Sequence, residues 1–407
     1  MALLSVVLTS TTPYPVSLDI GASYSETFNG YSVCTDQLFR DLVIRQGYPM
    51  ESYKLNTEDG YILQIFRIQA KGGKIIGGKR PVLLQHGIFD SADNFVINGD
   101  SNSLALLLAN EGFDVWMSNS RGNKYSRAHK TMSPNNKEFW DYSFHEMGQF
   151  DIKANINFVL SKTGKGKLTY IGHSQGTTQM FAALGTSLSS YLNSKVDKFI
   201  ALAPVVLPRH MTNKVLEHIV SDVAVVQATT MLGINELMPG SCSSNSVTIW
   251  MQKKLCQIAS GFCTIFLGLT DNNPWYNNPG ITVQLANHFP SGTSLKSLMH
   301  YRQQIGRKDT ENPKFTQFDY GEEENKKRYG TPYPAEYNFR NIGIPVRLYI
   351  GKQDNLATLK DHLVFADILK KLGKDCKVYE FDNCGHSTFQ WARDFSKIYS
   401  DILKELK

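Results

Sequence analysis

The stretch Leu168-Thr-Tyr-Ile-Gly-His-Ser-Gln-Gly-Thr-Thr constrains this chain more than any other. Its first four residues, rich in apolar, β-branched and aromatic side chains, predict a buried strand. The run from Gln175 through Gln179-Met-Phe-Ala-Ala-Leu predicts a helix. Between them lies Gly172-His173-Ser174-Gln175-Gly176, a G-x-S-x-G in the strand-to-helix setting of a nucleophile elbow. So tight a turn crowds its own flanks, and Gly172 and Gly176 stand where a side chain would clash. The strain lifts the Ser174 hydroxyl out of the sheet, and the helix N-terminus points at the same spot. A glycine-rich turn that merely carries a serine is the plain alternative. The strand before it and the helix after it decide against that.

The rest of the chain supplies the sheet such an elbow needs. Two strand-like runs between 53 and 68 flank Glu58-Asp59-Gly60 and predict a hairpin, with the glycine- and lysine-rich 71–79 as a flexible tip. Buried strands are predicted at 81–85 and 113–117, with a helix from 103 to 110 between them and an amphipathic helix over 147–160. The apolar run 199–204 follows the elbow helix. Strands apolar throughout, alternating with helices, indicate an α/β fold with a mostly parallel sheet covered on both faces. The alternation stops between 207 and 340, where helices are predicted at 214–228, 247–267 and 295–305 with no strand pair. It resumes with a strand at 345–351, a helix over 358–372, a strand at 377–381 and a closing helix over 389–406.

An insertion of about 130 residues is too long to be a structureless loop. Residues 207–340 are therefore expected to form a cap over the carboxyl ends of the strands, where open α/β sheets bind ligands. The core is expected from 28–206 and 341–407, and residues 1–27, which lack periodicity, to be loosely ordered. At 407 residues, 42% of them hydrophobic and 20% charged, the chain suits one large core carrying such an insertion.

Charge and cysteine usage exclude several classes. The net charge of +6 is mild and no dense Lys/Arg block occurs, so nothing suggests nucleic acid. Glu322-Glu323-Glu324 followed by Lys326-Lys327-Arg328 reads as a solvated loop. No run of about 20 apolar residues is present to span a membrane. The apolar opening, residues 1–8, is either a short secretory signal or a flexible terminus. Six cysteines (Cys34, Cys242, Cys256, Cys263, Cys376 and Cys384) are too few for a disulfide scaffold, and no C-x-x-C spacing suggests a metal. A strand between Cys376 and Cys384 should keep that pair apart. No N-x-S/T sequon occurs.

A serine hydroxyl needs a base to take its proton and a carboxylate to orient that base, and around such an elbow the order is Ser, acid, His. Of ten histidines, His386 in Asp382-Asn-Cys-Gly-His-Ser lies directly after the last predicted strand. His362 falls in a helix, and His210, His218, His288 and His300 fall in the insertion. The acid belongs after the preceding strand, where Gly351-Lys-Gln-Asp-Asn-Leu offers Asp354. Asp361 and Asp367 lie within the following helix, and Asp382 lies on the base's own loop. A tetrahedral intermediate needs backbone N–H donors. Gln175 offers one, and the strand exit His86-Gly87-Ile88 offers Ile88 as the second.

With these residues in hand the chain resembles the acid lipase family, the group of gastric and lysosomal acid lipases. The resemblance is carried by Thr57-Glu-Asp-Gly-Tyr-Ile-Leu, Leu84-Gln-His-Gly, Gly112-Phe-Asp-Val-Trp-Met-Ser-Asn-Ser-Arg-Gly-Asn, Glu138-Phe-Trp, Gly172-His-Ser-Gln-Gly-Thr-Thr and Ala201-Leu-Ala-Pro. It runs from about Tyr48 to Trp391, weakening in the insertion. It implies the α/β-hydrolase fold and a serine-dependent hydrolysis of neutral lipid esters, triacylglycerols or steryl esters, through an acyl-enzyme. It implies no metal and no cofactor, a transient encounter with a lipid–water interface, and secretion or delivery to a lysosome-like organelle. By position it gives nucleophile, acid and base as Ser174, Asp354 and His386, and the oxyanion donors as Ile88 and Gln175. An acyltransferase using the same triad, or a lipid carrier on an inactive hydrolase fold, are the competing expectations. Three departures stand out: the missing sequon, Ser387-Thr388 where the family often has Leu-Asp after the histidine, and altered cysteine spacing. The family's cap holds a disulfide, for which Cys242–Cys256 is the candidate pair here. The apolar 258–267 would line an acyl tunnel or present an apolar face to lipid droplets, with ordinary cap core as the plain alternative.

Overall fold

A computed structural model describes residues 24–73, 79–213, 232–240, 242, 270–307 and 313–407. After a short antiparallel pair, β1 (Ser25–Phe28) with β2 (Tyr31–Cys34), the chain builds its main sheet from β3 (Met50–Asn56), β4 (Tyr61–Ile68), β5 (Val82–Gln85), β6 (Val115–Ser118), β7 (Ala128–His129), β8 (Leu168–His173), β9 (Val196–Leu202), β12 (Val346–Gly351) and β13 (Cys376–Phe381). The order across it is β13-β12-β9-β8-β5-β6-β4-β3, with β7 paired to β4. From β13 to β6 every pairing is parallel; the pairings of β4 with β6, β3 and β7 are antiparallel.

Buried β-strands alternate their side chains between the two faces, and both faces here are covered. Leu168 and Tyr170 of β8 and Trp116 of β6 join the cluster under the helices Ile152–Thr163, Gln175–Leu184 and Leu359–Lys371. Ile171 of β8 with Val115 and Met117 of β6 join the other, under Gln37–Ile44, Leu104–Asn110 and Ser396–Leu406. Each fully buried Leu, Ile or Phe in these layers contributes on the order of 1.5–3 kcal/mol. The parallel sheet with helices on both faces agrees with the sequence expectation.

Several elements differ from that expectation. Order begins earlier than residue 28, because Ser25–Phe28 pairs with β2. The closing helix is two helices, Thr388–Trp391 and Ser396–Leu406. The chain turns between them because Asn98 Nδ2 donates to the Ala392 carbonyl, the Arg393 N–H donates to Tyr276, and Asp394 Oδ1 accepts the Ser396 N–H that opens the second helix. The charged run is not a loop but the helix Glu322–Tyr329, whose glutamates crowd its positive end and whose Lys/Arg residues crowd its negative end. Its Glu322–Lys326 and Glu324–Arg328 pairs at i, i+4 add side-chain support. The segment from 147 starts with a π-helical turn, Met147–Asp151, before the α-helix Ile152–Thr163.

Between β9 and β12 no described residue joins the main sheet. The helix Leu295–Ile305 forms as expected, and a two-residue antiparallel pair, β10 (Glu236–Leu237) with β11 (Thr293–Ser294), stands where none was expected. The helices predicted at 214–228 and 247–267, and the apolar 258–267, lie outside the described residues. The disulfide is Cys34–Cys242, with Cα atoms 5.2 Å apart, and this overturns the expected Cys242–Cys256 pairing. Cys34 ends β2, and the Cys242 sulfur also lies 3.3 Å from the Tyr24 carbonyl of the same hairpin. The partner thus comes from 208 residues away, a contact that local cysteine spacing does not encode. Cys376 and Cys384 are unpaired. Among the described residues no helix is long and apolar enough to cross a membrane.

Candidate active site

The loops that leave the carboxyl ends of β5, β8, β12 and β13 converge at one place, as parallel sheets arrange their ligand-binding loops. Ser174 joins β8 to the helix Gln175–Leu184 with φ 51° and ψ −120°. A non-glycine residue in that region is strained by roughly 1–3 kcal/mol and persists only where its surroundings enforce it. The enforcement is steric. A Cβ at Gly172 would lie 2.7 Å from the Gly176 carbonyl carbon, and one at Gly176 would collide with the Gln85 carbonyl oxygen at the end of β5. The Ser174 N–H is anchored to the Leu202 carbonyl of β9 at 3.0 Å.

His386, on the loop after β13, reaches Ser174 Oγ with Nε2 at 2.8 Å and Asp354 Oδ2 with Nδ1 at 2.8 Å. The three side chains expected from the sequence are therefore brought into one hydrogen-bonded line. Ser174 is 6% exposed, His386 5% and Asp354 2%, so the line runs under the surface with the serine as its outer end. Asp354 is fixed by its own turn: Oδ1 accepts the Leu356 and Ala357 N–H groups at 2.9 and 2.8 Å, leaving Oδ2 for the imidazole. Burial alone would pull the proton affinity of His386 down. The Asp354 charge and hydrogen bond, with a further contribution from the charge of Asp271, reverse this and leave it above the ordinary imidazole value.

The loop after β5 lies against the nucleophile. A Cβ at Gly87 would stand 3.0 Å from Ser174 Cβ and 3.4 Å from Oγ, so the backbone leading to Ile88 passes close to the reacting oxygen. His86 shapes that loop: Nδ1–H donates to the Gly87 carbonyl at 2.8 Å, and Nε2 accepts the Ser120 N–H at 3.0 Å. Burial lowers its pKa to about 4, which suits this neutral tautomer. Gln175 is the first residue of the elbow helix, where N–H groups have no intrahelical acceptor.

The competing acids and histidines are used elsewhere. Asp361 holds the Arg209 and His210 N–H groups and the His210 ring. Asp367 pairs with Lys371, and Asp382 is a surface partner of Lys352. His362 donates to the Pro204 carbonyl, His288 faces Asp93, and His300 lies between Ser143 and the Thr316 carbonyl. His218 lies outside the described residues. Among the described residues no cluster of three or more His, Cys, Asp or Glu side chains is arranged for a metal ion.

Two residues at the site were not singled out by sequence reasoning. His173 donates Nε2–H to the His386 carbonyl at 3.0 Å, tying the elbow to the base loop, and burial drops its pKa to about 3. Its place inside the G-x-S-x-G could have drawn notice. Asp271, from the insertion, accepts the Ser387 N–H at 2.9 Å. No local motif marks it.

Comparison with known proteins bears on the fold and the family. A family model described as the alpha/beta hydrolase fold matches residues 80–392, and one described as a partial alpha/beta-hydrolase lipase region matches 39–99. Human gastric triacylglycerol lipase is 35% identical over 367 residues, covering 88% of this chain and 87% of the relative. Human lysosomal acid lipase/cholesteryl ester hydrolase is 32% identical over 389 residues, covering 92% and 91%. Human lipase member M is 34% identical over 370 residues, covering 89% and 84%. Among solved structures, one from Sulfolobus solfataricus superposes with a TM-score of 0.55 at 18% identity, covering 88% of this chain and 94% of the other, a likeness of fold. On this match of family models and relatives across nine-tenths of its length, the chain belongs to the acid lipase family of the α/β-hydrolases.

Proposed function

We propose that this protein is a serine-dependent lipid ester hydrolase acting on neutral lipid esters through an acyl-enzyme. The observation that carries the reading is the unbroken line Ser174 Oγ, His386, Asp354, with both hydrogen bonds at 2.8 Å. Ser174 Oγ attacks the ester carbonyl as His386 Nε2 takes its proton, and the tetrahedral oxyanion is held by the Ile88 and Gln175 N–H groups. Collapse breaks the ester C–O bond, and His386 returns the proton to the leaving alcohol. Water then attacks the acyl-enzyme, giving its proton to His386, and the fatty acid leaves as Ser174 is reprotonated. Asp354 keeps Nδ1 protonated, so Nε2 faces the serine as the acceptor, and it stabilises the imidazolium that forms. The described part of the insertion between β9 and β12 meets the base and acid loops through residues 270–272 and serves as part of a cap.

The relatives' names carry triacylglycerol and cholesteryl ester as the substrates of those proteins, and the same chemical class fits here. The Cys34–Cys242 disulfide supports a protein that leaves the reducing cytosol, by secretion or for a lysosome-like compartment. The test is turnover of triolein, cholesteryl oleate and short-chain nitrophenyl esters from pH 4 to 8, with Ser174→Ala alongside. Hydrolysis of at least one long-chain ester is expected, with a loss of on the order of 10⁴-fold or more in the variant at unchanged thermal stability. Turnover retained by Ser174→Ala would contradict the mechanism.

A further inference from the structure

Three consecutive residues of the insertion, Thr270, Asp271 and Asn272, bond to both loops that carry the base and its acid. Toward the acid loop, the Asn272 N–H donates to the Gln353 carbonyl at 2.8 Å and the Asn355 N–H donates to the Thr270 carbonyl at 3.3 Å. Asp271 and Asp354 themselves form an antiparallel backbone bridge. Toward the base loop, Asp271 Oδ1 accepts the Ser387 N–H at 2.9 Å and Oδ2 accepts the Thr388 hydroxyl at 3.2 Å. The Thr270 and Ser387 hydroxyls lie 2.7 Å apart. The carboxylate is 1% exposed and takes one more hydrogen bond, from Asn277 Nδ2 at 2.6 Å. The packing is close enough to dictate residue type, since any Cβ at position 385 would run into the Asp271 side chain.

Resting on the serine-hydrolase reading above, we propose that Asp271 is a positioning residue for the reaction. It is a buried carboxylate, contributed by the insertion, that clamps the loop 385–388 to the loop 353–355 and so holds His386 in line between Ser174 and Asp354. A carboxylate is costly to bury and persists where hydrogen bonds and a cationic partner compensate it. Here the bonds come from Ser387 and Thr388 beside the base and from Asn277, and the cation is the imidazolium formed in each half-reaction. Ser387 and Thr388 are the two residues through which the clamp acts. Misplacing a reacting group by about 1 Å costs roughly 10²-fold, so a clamp on the base loop bears directly on rate.

The titratable groups around His386 give the clamp an electrostatic signature. Asp354 and Asp271 favour the imidazolium, burial raises the Asp271 carboxyl above the usual carboxylate range, the buried His173 and His362 are held toward their neutral forms, and burial with the Asp271 charge pushes the Cys384 thiol up. Asp271→Asn keeps the shape and removes the charge. His386 must be neutral to accept the serine proton, so activity falls as pH drops through its pKa, and removing a carboxylate that raises that pKa moves the acidic limb to lower pH.

The experiment compares the protein with its Asp271→Asn and Ser174→Ala variants on nitrophenyl butyrate from pH 4 to 8. Asp271→Asn should lower kcat by about 10-fold or more at little changed KM, with the acidic limb of kcat/KM displaced downward. A variant that matches the parent in kcat and in limb position, or that loses only thermal stability, overturns the role of Asp271 while the parent's dependence on Ser174 stands. Parent-level turnover in Ser174→Ala instead overturns the reading on which the role rests. Should Asp271→Asn not fold, Asn277→Ala carries the test, because it strips one hydrogen bond from the same carboxylate and leaves the base loop intact. It should lower kcat in the same direction, and an unchanged kcat overturns the proposal.

Discussion

At the scale of single residues, the site depends on ionisable groups placed where water cannot reach them. Asp354 and Asp271 both favour the charged form of the His386 ring. Asp90, on the loop after β5, is different: burial pushes its carboxyl up to about 7, against hydrogen bonds from Asn94, the Ser91 N–H and Gln390 that pull the other way. An unfolded aspartate titrates near about 4. Between those two values the native state keeps a proton that the unfolded chain has lost, so stability falls as pH rises through this window. Below it both states are protonated and the contribution is fully present. Asp90→Asn removes this titration. Urea midpoints at pH 4, 5.5 and 7.5 should show the variant gaining on the parent as pH rises. A difference that does not change with pH would contradict the assignment of Asp90 as the buried titrating group.

At the scale of elements, the elbow, the acid turn and the base loop are each built by local sequence and then joined by distant ones. The Cys34–Cys242 bond is a covalent joint of this kind, tying the β1–β2 hairpin to the insertion across 208 residues. Closing so long a loop restricts the unfolded chain, and its loss typically costs about 2–5 kcal/mol. Replacing both cysteines with serine should lower the urea midpoint accordingly, and peptide mapping without reduction should recover residues 34 and 242 in one linked fragment. Alkylation of Cys242 before any reductant is added would contradict the bond. Ion pairs such as Glu322–Lys326 on the exposed helix Glu322–Tyr329 are worth only tenths of a kcal/mol and set that helix's local preference rather than the fold.

At the scale of the whole molecule, the parts that were legible in the sequence are those encoded within a few residues of themselves. The strands β5, β8, β9 and β12 are apolar runs, Ser174 sits in a motif whose flanks declare a strand and a helix, and Asp354 and His386 are picked out by following the last two strands in order. What was not legible depends on contacts across the chain. The Cys34–Cys242 pairing and the approach of Asp271 to the base loop span 208 and 116 residues. The break at Ala392 follows from Asn98 and Tyr276 capturing backbone groups that a lone helix would keep. The charged helix was missed because Glu and Lys blocks look like solvated loop until their order is matched to the helix dipole. One arrangement joins these scales: a strained backbone presents one hydroxyl to an imidazole delivered from the other end of the chain. Its most direct test is reaction of the folded protein with a fluorophosphonate, followed by intact mass and peptide mapping. One phosphonyl group per chain on Ser174, absent from Ser174→Ala, is the predicted result; an adduct on another residue, or none on the folded protein, would contradict the account.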